Sequence, residues 1–65
     1  MRGKVKSFSN EKGYGFIAVD NGKDVFFHYS QLVMEGYKKI DPEVFVEFDL
    51  VETERGLQAH NIRKL

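Results

Sequence analysis

The chain of 65 residues has no cysteine, which excludes disulfide staples and any thiolate metal site. That absence fits a reducing cytosol without establishing one. No apolar run approaches the ~18 residues of a membrane span, and Met1-Arg2-Gly3-Lys4 leads into alternation rather than a signal-peptide core. A soluble, cytoplasmic protein without membrane contact is therefore expected. There is no net charge either: ten Lys and Arg balance ten Asp and Glu. Neutrality argues against tight non-specific duplex binding, which draws on many phosphate contacts. Internal repeats and low-complexity tracts are absent, and proline occurs once, at Pro42.

What the chain does have is rings: six Phe and three Tyr, numerous for one small domain over 1–65. A domain of this size buries roughly 60% of its unfolded surface, so some rings are expected at the surface. Charge is also unevenly placed. Arg2, Lys4, Lys6 and Lys12 face one acid, Glu11, before Phe16, whereas Asp41, Glu43, Glu47, Asp49, Glu52 and Glu54 are interrupted by no base. A local field of this kind can steer a polyanion past a neutral total.

The period is that of strands. Weak alternation marks a first strand over Gly3–Phe8, and a turn at 9–13 leads into a second, Tyr14–Val19. Asn21-Gly22, a strong hairpin signal because both residues tolerate positive φ, precedes a third strand over Asp24–His28. A helical turn capped by Ser30 is expected near 30–33, inside a long connection to 43. Strand four follows, with Val44, Val46, Phe48 and Leu50 inward and Phe45, Glu47 and Asp49 outward; strand five covers Leu57–Arg63. A meander, a long crossing and a hairpin suit an all-β protein, a small five-stranded antiparallel barrel of the oligonucleotide/oligosaccharide-binding (OB) fold. Closure also removes exposed sheet edges.

Two segments, 12–17 and 25–29, carry the functional signal. Period-two alternation sets Tyr14 and Phe16 on one face with Phe26 and His28, and sends Ile17, Val25 and Phe27 to the other. One face supplies a core; the other presents flat rings flanked by Lys6 and Lys12, suited to stacking unpaired bases and meeting their phosphates. Gly15 is expected to permit close backbone approach, and Gly13 an unusual φ in its turn. His28 and His60 lack ligand spacing, so no metal or other cofactor is expected. No carboxylate pair or activated nucleophile marks a catalytic residue or a small-molecule substrate, so a hydrolase is set aside. A barrel that docks a partner protein through the ring patch is the alternative kept.

The stretches 3–6, 12–17, 24–30, 35–38 and 55–59, in this order, resemble bacterial cold-shock proteins over essentially the whole chain. The resemblance implies a five-stranded barrel that binds single-stranded RNA and DNA, often acting as an RNA chaperone in the bacterial cytoplasm. Separately, a monomer is expected. The resemblance assigns base stacking to Tyr14, Phe16, Phe26, His28, Tyr29 and Tyr37, with Phe8 at the margin. It gives backbone or polar contacts to Lys6, Lys12 and Arg55, and a base-edge hydrogen bond to Asp24. Strict alternation would turn Tyr29 to the core, so the resemblance requires a bend after His28. Covering the barrel end is the other reading of Tyr37. Three positions depart from the family pattern: Ser7 stands where tryptophan is usual, Leu57 where proline is common and Glu43 where glycine is common.

Overall fold

In the computed structural model, which describes residues 1–20, 22–33 and 39–65, the chain forms five strands. They are β1 (Arg2–Ser9), β2 (Tyr14–Ala18), β3 (Asp24–His28), β4 (Phe45–Thr53) and β5 (Gly56–Lys64). They close into a barrel in the order β1-β2-β3-β5-β4, with β1 pairing on both sides. All neighbours run antiparallel except β3 and β5, which meet in parallel at Phe26 and Gln58. A closed ring with an odd number of strands cannot alternate direction throughout, so one parallel seam is unavoidable. Among the described residues no helix is long and apolar enough to cross a membrane.

The inward phase of each strand fills the barrel with Val5, Ile17, Val25, Phe27, Val46, Phe48, Ala59 and Ile62, and Leu32 and Ile40 complete the core. No polar side chain is buried among the described residues. Leu50 corrects the expectation for strand four. It keeps the inward register opposite Ala59, yet it is 39% exposed. The β1–β4 pairing ends at Glu47, so Leu50 lies beyond the stretch of β4 that is flanked by strands on both sides. Val44 lies just before β4, half-buried against the core.

Two bulges set the faces. On β1, Val5 pairs with Ile17 but Ser7 with Phe16, so an extra residue turns both Lys6 and Ser7 outward. Phe8 then returns to the inner register opposite Gly15. This interruption is why the first strand alternates only weakly in sequence. On β5 the shift falls at Asn61, whose φ is 53°, and it leaves Ala59 and Ile62, three apart, both buried.

The turn after β3 is a 3-10 turn over Tyr29–Gln31, one residue earlier than expected, and its cap is His28 rather than Ser30. His28 is extended (φ −106°, ψ 148°), and its Nδ1 accepts the Ser30 N–H at 3.3 Å. In the β2–β3 connection Gly22 takes φ 81° and donates to the Val19 carbonyl at 2.9 Å. The expectations for Asn21 and Tyr37 lie outside the described residues.

Glu43 occupies a left-handed φ of 75°. The conformation is pinned, because Glu43 N–H donates to Val5 O at 2.8 Å while Val5 N–H donates to Val44 O at 2.8 Å. Its carboxylate meets Lys4 Nζ at 2.9 Å, an exposed pair of small value. Relief of the left-handed strain outweighs the lost pair and the greater freedom of an unfolded glycine. Glu43→Gly is therefore expected to raise stability by about 0.5–1 kcal/mol in urea denaturation; a loss would show that the turn is held by the carboxylate.

Candidate functional site

The β2–β3 pairing brings the outward rings together: Tyr14 sits opposite His28, and Phe16 opposite Phe26. Tyr14, Phe16 and Phe26 are half-buried and touch one another. Their centroids lie 5.5 Å apart for Tyr14–Phe26, 5.9 Å for Phe16–Phe26 and 6.4 Å for Tyr14–Phe16, the last two edge-on. Such tilted contacts suit the ring quadrupoles and leave ring surface facing solvent. A second pair, His28 and Tyr29, lies beside them with centroids 4.6 Å apart. Tyr29 is 44% exposed, because the 3-10 turn begins there and breaks the strand alternation that would have buried it.

Two glycines shape the patch. Gly13 (φ 79°) accepts the Tyr29 N–H at 2.8 Å, and a Cβ there would lie 2.9 Å from the Tyr29 ring. The His28–Tyr29 pair therefore rests on bare backbone. Gly15 separates Phe8 from Phe27 in the register, and across it the two rings stack with centroids 5.7 Å apart and planes 8° apart. Phe8 is thus half-buried against the core and stands apart from the outer cluster.

The polar candidates frame the rings. Lys6 Nζ and Asp24 Oδ2 pair at 2.9 Å, reaching from β1 to β3 past the small side chain of Ala18. Both stay well exposed, 60% and 40%, so the pair is weak and either partner can be recruited by a ligand. Lys12 lies in the exposed turn whose backbone N–H donates to Ser9 Oγ at 3.1 Å. Arg55, from the β4–β5 turn, borders a groove of about 330 Å³ together with Phe16, Phe26, Leu57 and Gln58. Gln58 carries no signal of its own in the sequence, although it lies in a stretch that carries the resemblance. It enters the site through the parallel seam with Phe26, a pairing across 32 residues that no local pattern announces. Ser7 is exposed directly opposite Phe16, so the ring cluster ends bare on the β1 side.

The family model described as the 'Cold-shock' DNA-binding domain matches residues 1–65. Cold shock protein CspB of Geobacillus stearothermophilus is 52% identical over 65 residues, covering all of this chain and 98% of that protein. Cold shock protein CspD of Bacillus subtilis (strain 168) is 51% identical over 65 residues, again covering all of this chain and 98% of that protein. Among solved structures, drosophila Unr CSD456 superposes with a TM-score of 0.76 at 28% identity, over 98% of this chain and 26% of that one. The chain thus spans about a quarter of the length of that structure.

Proposed function

The chain belongs to the cold-shock DNA-binding domain family, and from that membership we propose that it binds single-stranded RNA and DNA through the outer face of β2 and β3. The observation that carries the reading is the contiguous cluster of Tyr14, Phe16 and Phe26, held outside a core that is complete without it. Bases splay onto these rings and onto His28 and Tyr29, each stack contributing roughly 1–3 kcal/mol with little regard to sequence. Lys6, Lys12 and Arg55 meet phosphate or polar edges, and Asp24 offers an acceptor to a base. Phe8 contributes at the margin, and Tyr37 is assigned to the same site by the family pattern. No bond is made or broken. Capture of unpaired strands melts weak RNA structure by mass action, the work of an RNA chaperone in the cytoplasm. The rings do not distinguish ribose from deoxyribose, and a monomer suffices. A barrel that docks a partner protein through the same patch is not favoured, since membership points to nucleic acid.

Titration with oligothymidine and with a duplex of equal length tests the reading. Saturable binding of the single strand, weak binding of the duplex and loss in Phe26→Ala are expected. No oligonucleotide binding at low salt would sink it. Ser7 sharpens the test: opposite Phe16, Ser7→Trp adds a ring to the bare edge and is expected to tighten binding by about 1 kcal/mol, the low end for one stacked base. An unchanged affinity would end the site at Phe16.

A further inference from the structure

Phe45 is 60% exposed, on the outward register of β4, and neither the core nor the β2–β3 cluster uses it. It pairs with Lys4, and Lys4 pairs in turn with Ala18 on β2, so the three side chains share the outer face across β4, β1 and β2. The Lys4 ammonium stands 5.9 Å from the centre of the Phe45 ring. Phe45, Lys4, Ala18, Val19 and Asp20 line one concavity of about 330 Å³. Phe16 lies two residues from Ala18 along β2, which sets the two rings roughly 12 Å apart along the surface by ordinary sheet spacings. Between them lie Lys6 and Ser7, both turned outward by the β1 bulge.

Resting on the proposed binding of single strands, we infer that Phe45 and Lys4 form an additional subsite, where a strand leaving the Phe16–Phe26 cluster across β1 stacks one more base. The ring supplies a π-face, and Lys4, exchanging its exposed and weak pairing with Glu43 for the strand, supplies a cation beside it for the adjoining phosphate. Continuity with the ring cluster through Lys6 and Lys4 selects this occupant. A second copy of the chain would need about 800 Å² on each partner, a large share of the 4672 Å² total surface, and one exposed ring with its small neighbours falls well short.

Oligothymidines of about four and about eight nucleotides, within the range one barrel of this class occupies, separate the two sites. Phe45→Ala is expected to weaken binding of the longer strand about fivefold to tenfold and leave the shorter unchanged. Because the chain has no tryptophan, Phe45→Trp adds a lone indole, excited selectively over the three tyrosines, whose emission the longer strand alone is expected to quench. Equal affinities of Phe45→Ala and the parent chain for the longer strand, or an unquenched Phe45→Trp, overturn the subsite. Self-association in sedimentation that Phe45→Ala abolishes, with strand binding unchanged, reassigns the patch to a second copy and overturns it too. If the unmodified chain binds neither length, the underlying reading falls, and that is visible before any variant is made.

Discussion

Gly15→Ala is expected to lower the unfolding free energy by about 3 kcal/mol, the upper end for forcing atoms into a packed site. The cost is steric. Gly15 is absent from the glycines with positive φ, so alanine meets no backbone penalty there. Its Cβ would instead run into the Ser7 carbonyl oxygen and come within 2.9 Å of Phe8 Cα and 3.0 Å of the Phe27 ring. The first two are backbone atoms of β1, which can retreat only by giving up pairing at the bulge. Retreat would also part the Phe8–Phe27 stack that fills the space above Gly15. For a domain of this size, total stability is only about 3–10 kcal/mol. Each lost kcal/mol lowers the melting temperature by about 4–8 °C, so a drop of about 12–24 °C is expected. Gly22→Ala is the control: among the described residues nothing lies within 4 Å of its Cβ, but φ is 81°. It should cost only the left-handed strain, about 1 kcal/mol. Equal losses at the two sites would show that the β1–β2 contact yields easily, and the steric account would fail.

How much of this was legible follows from what a strand shows locally. Asp24–His28 is read to the residue, and Tyr14, Phe16, Phe26 and His28 share a face as alternation requires, because period two is a property of one strand alone. What went unread depends on a partner. The extra residue at Lys6–Ser7 has no meaning until β1 is laid against β2, and the left-handed Asn61 none until β5 meets β4. Phase alone turns Leu50 inward opposite Ala59, but burial depends on neighbours that one strand does not show, and Leu50 stays 39% exposed. Lys6 and Asp24 both suit ligand contacts, but that they first contact each other becomes visible only when the bulged β1 and β3 are laid on either side of β2. Gln58 enters the groove through the parallel β3–β5 seam, and the need for such a seam follows from strand count rather than from any motif.

Removing Phe16 and Phe26 together is expected to weaken single-strand binding by about 4 kcal/mol, on the order of a thousandfold, the middle of what two stacked bases contribute. The double loss should fall short of the sum of the single ones. The two rings meet edge-on at 5.9 Å, and Tyr14 leans on Phe26 at 5.5 Å, so either single change already frees its neighbours from the orientation a base requires. A coupling of about 0.5 kcal/mol or more is expected in the double-mutant cycle. Stability should respond far less. Phe16 and Phe26 are half-buried on the outer face, and each loses only part of the roughly 1.5–3 kcal/mol of a fully buried side chain. Phe27, the next residue but on the other face, is 0% exposed, and Phe27→Ala should cost the fold about 3–5 kcal/mol. Salt dependence gives an independent handle, since the rings carry no charge. With three cationic contacts the slope of log affinity against log salt is about −2 on a single strand, and the ring variants should keep it while Lys12→Ala makes it shallower. A double variant binding within about threefold of the parent chain, where each stack is worth at least fivefold, would remove the rings from the site. An altered slope would mean that losing them moves the strand off its cations as well.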